Sequence, residues 1–435
     1  MKLAKVLGLV LLLTVVGASL TFSNGQKITF YSTQMRPIEE AQWARTTLLP
    51  PFTSETGIGV DFIADEYSPW AARLIGEHAV GKGTIDLVGG LHGDFLGVPG
   101  TMADISGTLW YLQGKGDRTF IESFVKMGQM GGIQAYIPWM QATYLMVINK
   151  KALQYLPAGV DYNALTYDQL LAWAKNIYEA TGQKKLGIPA GPKSLLHRFV
   201  HGYLYPSFTG SMVKEFKSDD AVKMWKYAQD LWQYVNPSAT SWDAMAEPLL
   251  DGSVWIAWDH TARVKDAIKA QPNNFIAIPS PAGPKGRGAI AVLAGLGIPK
   301  NAPDPVAAVK LIEYLTRPST QVEILNGIGF FPIVKEAASA VPTGAMQILA
   351  KGVTAQAGAP DAIVAMIPGG LGARAGEFSK IYRDTFMEIV VKGKDINATL
   401  TAQGKLLKEL FADTGAACPP PDPTNEAPCV PENIP

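Results

Sequence analysis

Short apolar runs broken by polar turns, alternating with stretches of helical period, set the pattern of this chain. Lys27 to Ser32, KITFYS, reads as a strand that ends at Thr33 and Gln34, polar residues where a parallel sheet would present ligand-facing groups. A helix is predicted through Glu39 to Leu48. The densest stretch is Asp251 to Ile298: Val254 to Trp258 is a β-branched and aromatic run, Thr261 to Ala270 is helix-like, and Phe275 to Ile278 is another strand. Ala289 to Ile298 then carries no charge. It is too short to cross a bilayer and too apolar for a surface loop, so a strand buried in protein is predicted. Gly295 and Gly297 within it point to close approach by another group or to a bend, and a crossing between two lobes fits both. Thr166 reads as the N-cap of a helix whose capping box Gln169 completes. The helix from Asp220 to Tyr234 puts Val222, Trp225, Ala228 and Trp232 on one face, a core pattern.

Alternating strand and helix predicts an α/β fold in which mostly parallel sheets are flanked by helices. At 435 residues the chain exceeds one typical core, so two lobes are expected. Lys and Arg total 38, as do Asp and Glu, which leaves no basic footprint for nucleic acid. Residues 1–24 fit a signal peptide, with Lys2 and Lys5 before the apolar run Val6 to Val16 and small residues at Gly17-Ala18-Ser19. Export with release, into the periplasm or beyond, follows from that reading. The two cysteines, Cys418 and Cys429, stand in a Pro-rich tail, residues 416–435, expected to be extended and without a core of its own. In an exported chain they predict a local disulfide that stiffens the tail.

Several segments in order resemble family 1 extracellular solute-binding proteins, the sugar-capturing subunits of ATP-driven importers that include maltose-binding proteins. Glu55-Thr56-Gly57-Ile58-Gly59-Val60 resembles the family's turn into its second strand. Ile85 to Asp94 resembles a third strand ending in His and Asp, and Ile137 to Lys150 a crossing strand, with Ile148 where Tyr is usual. Pro305 to Gln321 and Gly329-Phe330-Phe331-Pro332 resemble the family's later helix and return. The resemblance implies two lobes with a ligand cleft between them. Lobe one would take 26–138 and 294–331, lobe two 142–290 and 333–415. It also implies a carbohydrate ligand, the membrane permease subunits of an importer as partners, a monomer, and neither cofactor nor metal.

A sugar offers C–H faces ringed by hydroxyls, so its site needs flat aromatics beside planar polar groups. The candidate ligand contacts are Gln34, Tyr67, Trp70, His92, Asp94, Trp139, Gln141, Trp258, Asp259, Gly295 and Arg374. Trp258 falls where the family carries a stacking aromatic, with Asp259 beside it to take a hydroxyl. Trp139 and Gln141 fall on the crossing strand, and Arg374 and Phe378 follow a glycine-rich turn at Ile367 to Gly372. Asp94 also reads as a cap of the next turn, and Trp70 and Tyr67 read equally as core. A phosphorylated or other polar metabolite is the second ligand reading, for which Arg287 and Arg374 would matter. A secreted glycoside hydrolase would need two carboxylates flanking a bond, and the sequence alone singles out no such pair. The chain has no Gly-x-Ser-x-Gly elbow or His-Glu-x-x-His helix. His197 and His201 would share a helix face, and with no acid or Cys beside them a solvated face outweighs a metal site.

Overall fold

Two main sheets form where the strand patterns predicted them, each backed by the helices between its strands, beside two small two-stranded pairs. The computed structural model describes residues 25–339, 341 and 344–435, so the leader read at 1–24 lies outside the described residues. The strands are β1 (Lys27–Ser32), β2 (Gly59–Ala64), β3 (Leu87–Leu91), β4 (Gln129–Met130), β5 (Ile133–Gln134), β6 (Ile137–Ala142) and β7 (Tyr144–Asn149). They continue as β8 (Leu186–Gly187), β9 (Ile256–His260), β10 (Phe275–Ile278), β11 (Arg287–Ile290), β12 (Val292–Gly297) and β13 (Ala362–Ala365). Lobe one holds a sheet of order β2-β1-β3-β12-β6, and lobe two one of order β10-β7-β9-β8. No helix among the described residues is long and apolar enough to cross a membrane.

The sheets are mixed, not mostly parallel. β1 runs parallel to β2 and β3, as helical crossovers dictate, whereas β12 is antiparallel to both β3 and β6. The reason is topological: β12 enters lobe one from lobe two and runs against the strands already there. In lobe two β7 is antiparallel to β9 and β10, and only the short β8 pairs in parallel with β9. The uncharged run at 289–298 is therefore two strands, with Ala291 between them, and the β12–β6 register shifts at Ala294/Gly295. The strand read at 254–258 lies two residues later.

Each lobe has its own core. One cluster gathers Phe30, Phe62, Trp70, Trp139 and Leu296, and a second gathers Tyr144, Trp173, Tyr203, Trp225 and Trp258. The lobe-one cluster runs on through Ile333, Val334 and Ala337, past the crossing expected at 332, and Met366 also packs into it. Local chemistry fixes the helices. Thr166 Oγ1 accepts the Gln169 N–H at 3.2 Å while Gln169 Oε1 accepts the Thr166 N–H at 2.9 Å, the reciprocal cap its sequence predicts. Trp225 is buried and donates Nε1–H to the Tyr205 hydroxyl at 3.2 Å, in keeping with its core pattern.

Three segments strap the lobes together. Gln141 and Phe331 exchange backbone hydrogen bonds at 3.0 and 2.7 Å, Thr143 Oγ1 donates to the Ile290 carbonyl at 2.8 Å, and Gln356 Nε2 donates to Thr143 Oγ1 at 2.8 Å. The tail is not a free extension. Cys418 and Cys429 are disulfide-bonded and buried in the lobe-two cluster, which corrects the expectation of a bridge outside the core. Asp422 anchors the loop, accepting the N–H groups of Met212 and Val213 at 2.8 and 2.7 Å and the Ser211 hydroxyl.

Candidate ligand cleft

A cavity of about 240 Å³ lies at the lobe junction. Tyr67, His92 and Asp94 wall it from lobe one, Val292 and Leu293 of the crossing strand floor it, and Pro368 to Gly372 close it from lobe two. A larger neighbouring hollow of about 660 Å³ shares His92 and Gly369 and reaches the tail at Ala416 to Pro420. Backbones nearly touch at the boundary: a methyl on Gly369 would stand 2.9 Å from the Gly93 carbonyl oxygen.

Asp94 sits in the first turn of the short helix His92–Leu96. Its Oδ2 accepts the Thr33 hydroxyl at 2.6 Å and the Leu91 N–H at 2.8 Å, so the capping role weighed from sequence is real. Oδ1 has no protein donor among the described residues and is free for a ligand hydroxyl. Burial lifts this carboxyl above its ordinary pKa, against the pull of the Thr33 and Leu91 hydrogen bonds. Gln34 stands one step back, its Nε2 donating to Thr33 Oγ1 at 3.0 Å, so it steadies Asp94 through Thr33. Tyr67 opens a helix and keeps its half-buried ring on the cavity wall, its hydroxyl filling the space that a side chain at Gly97 would take. His92 lines the cavity but spends its ring on protein: Nδ1 pairs with the Tyr136 hydroxyl at 2.9 Å, and the Met127 carbonyl takes the other side. Burial pushes its pKa down to about 4, so the ring is neutral.

The other candidates are elsewhere, for packing reasons. Trp70 is buried in lobe one, with Nε1 on the Tyr31 carbonyl at 3.2 Å, and Trp139 is buried against Phe30 at 5.6 Å between ring centres. Trp258 is 0% exposed in the lobe-two core, stacked on Tyr144 at 4.9 Å and 6° and flanked by Phe199 and Tyr203. A ring covered on both sides has no face for a sugar. Asp259 points to the opposite side of the sheet, holding the N–H groups of Met245 and His260 at 2.9 and 2.7 Å, and burial raises its pKa to about 7. Gln141 is buried and donates to the Pro332 carbonyl at 3.1 Å, a tie between crossing segments. Gly295 makes room for the Tyr136 ring, not for a ligand. Arg374 lies outside, paired with Glu377 and Asp413 at 2.7 and 2.8 Å, and Phe378 is core. Arg287 is buried against Asp361, with Nη1 on the Ser280 and Leu165 carbonyls. Thr33, read with Gln34 as a polar strand end, acts by holding Asp94; sequence reasoning missed the floor at Val292, which no polar side chain advertises.

The comparisons agree with this architecture. The model of the bacterial extracellular solute-binding protein family matches residues 47–351. A search of curated proteins found no match. Among solved structures, the maltose-bound MalE3 of T. maritima is similar at 19% identity and TM-score 0.62, covering 89% of this chain and 100% of that one. The sugar-binding protein MalE of Xanthomonas citri is similar at 17% identity and TM-score 0.70, covering 89% and 98%. UgpB of Mycobacterium tuberculosis, in complex with glycerophosphocholine, is similar at 17% identity and TM-score 0.63, covering 89% and 99%. At these identities the structures speak for the fold, two lobes about a cleft, while the family match spans most of the sequence: the chain belongs to the bacterial extracellular solute-binding proteins.

Proposed function

We propose that this protein captures a sugar, mono- or oligosaccharide, outside the cytoplasmic membrane and delivers it to the permease subunits of an ATP-driven importer. The cavity walled by both lobes and floored by the crossing strand carries the reading. An aromatic ring at Tyr67 and a free carboxylate oxygen on Asp94 supply the two surfaces a pyranose needs. The relatives named for maltose and other sugars support the same ligand class. Capture without turnover is part of the proposal: among the described residues the cavity is lined by one carboxylate, Asp94, where hydrolysis of a glycosidic bond would need two, and an importer's receptor gains by releasing its cargo intact. The protein works as a monomer exported by the leader at 1–24. Calorimetric titration with a panel of mono- and oligosaccharides tests the reading, followed by analysis of the recovered sugar. Saturable binding with the sugar unchanged is expected. Absence of binding across the panel, or cleavage above the buffer rate, would refute it.

A further inference from the structure

Three guanidinium groups converge in lobe two beside the His197 ring, and among the described residues no carboxylate stands within ion-pair distance of them. Arg198, in the short helix Leu196–Phe199, lies within hydrogen-bonding reach of the Tyr144 hydroxyl, and its Nη1 is buried without a partner. Arg263 donates to the Asp243 carbonyl at 2.6 Å and the Lys193 carbonyl at 3.3 Å. Arg383 donates to Ser194 Oγ and the Ala190 carbonyl, both at 3.3 Å. All three act on the His197 ring, which burial and their charges hold neutral. Among the described residues the one acid whose charge acts on the cluster is Asp259, on Arg263, and it forms no direct ion pair with it. The nearby acids are committed elsewhere. Asp259 has both oxygens on backbone N–H groups, and Asp243 Oδ1 accepts the Lys193 N–H at 2.7 Å.

The place matters as much as the charge. Tyr144 is the first strand residue after the crossing, and the Thr261 N–H bonds the Thr143 carbonyl at 3.0 Å, so this end of the sheet abuts the cleft. Ala375 lines the cavity, and Arg383 is eight residues further along the same helix, roughly 12 Å at the usual rise per residue. Gathering like charges in a partly desolvated place costs stability unless an anion offsets them, and planar guanidinium forks match phosphoryl oxygens in pairs.

We propose that Arg198, flanked by Arg263 and Arg383, forms an anion subsite of the cleft that takes the phosphoryl group of a phosphorylated sugar or polyol, whose uncharged part occupies the Asp94 cavity. The proposal rests on the solute-capture reading and narrows its ligand class. Calorimetry with glucose 6-phosphate, glucose 1-phosphate and glycerol 3-phosphate, each against its unphosphorylated parent and with glucuronate as the carboxylate arm, tests it. At least one phosphate ester should bind about tenfold or more tighter than its parent, and Arg198→Gln should bring that ratio to within about threefold of unity. Arg263→Gln serves as the second variant if the first does not fold, with melting curves to check both. A preference that survives both substitutions overturns the subsite, as does one for glucuronate over glucose with none for the esters. Neutral sugars binding as well as the esters, or alone, overturns it while leaving sugar capture standing. No binding in either class brings down both.

Discussion

Asp94 gives one carboxylate oxygen to the protein and keeps the other for the cavity. Removing the carboxylate loses a charge-assisted hydrogen bond to the ligand, worth about 1.5–3 kcal/mol, and also the cap on Leu91. Asp94→Ala should therefore weaken sugar binding by about tenfold or more, as calorimetry would read it. Trp258 is the opposite case. Its stack with Tyr144 and its flanking rings put it wholly in the core, so Trp258→Ala should destabilise lobe two by about 3–5 kcal/mol, measured by denaturant unfolding. Loss of affinity without loss of stability would reverse that assignment. The contrast explains what was legible. A tryptophan followed by aspartate at a strand end has the same local sequence whether the ring faces a ligand or a neighbouring helix. The partners that decide it, Phe199 and Tyr203, are more than fifty residues away in the sequence. Asp94, Tyr67 and His92 were legible because strand ends announce themselves locally.

At the scale of elements, strands and helices with a strong local signal came through: Thr261–Ala270, Phe275–Ile278 and the capped helix at Tyr167–Thr181 lie where their patterns put them. The C-terminal loop did not, because proline-rich composition describes a backbone and not where it docks. Its anchor is Asp422, which collects two N–H groups and a hydroxyl from residues 211–213 inside the lobe-two wall. Asp422→Ala would leave those donors buried and unmet, at about 1–3 kcal/mol for each one that water does not reach. The expected outcome is a loss of about 3 kcal/mol or more in denaturant unfolding, with faster protease cleavage after residue 415. A variant as stable as the parent would mean that the loop only rests on the surface.

Two properties belong to the whole molecule, its response to acid and its closure. Burial lowers the pKa of His92 and His260 to about 4 and of His197 to about 3, and puts His201 well below the ordinary 6.5. Below pH 6.5 the unfolded chain binds protons at these rings that the folded protein refuses, so stability falls as pH drops from 6.5 towards 4. Asp259 works against this with its pKa raised to about 7, because between pH 4 and 7 the fold holds a proton that the unfolded chain has lost. Asp94 and Asp422, also raised by burial, work the same way at lower pH, so the four rings set the sign of the profile between pH 6.5 and 5 and stability should fall there. Unfolding curves at pH 7, 6 and 5 would check this, and His201→Phe should flatten the profile; a level profile would mean the rings are open to water. Closure turns on Gly369. Its backbone is not left-handed, so lobe two by itself accepts a larger residue there, but a Cβ would meet the Gly93 oxygen at 2.9 Å and Leu96 Cβ at 3.2 Å across the cleft. Gly369→Val should therefore leave the melting temperature of the empty protein nearly unchanged while holding the lobes apart. A ligand that needs both walls then loses part of its contacts, and affinity should fall by about tenfold, near 1.4 kcal/mol. Small-angle scattering should show the ligand-saturated variant more extended than the ligand-saturated parent. Equal affinity in the two proteins would mean that ligand binds one lobe alone.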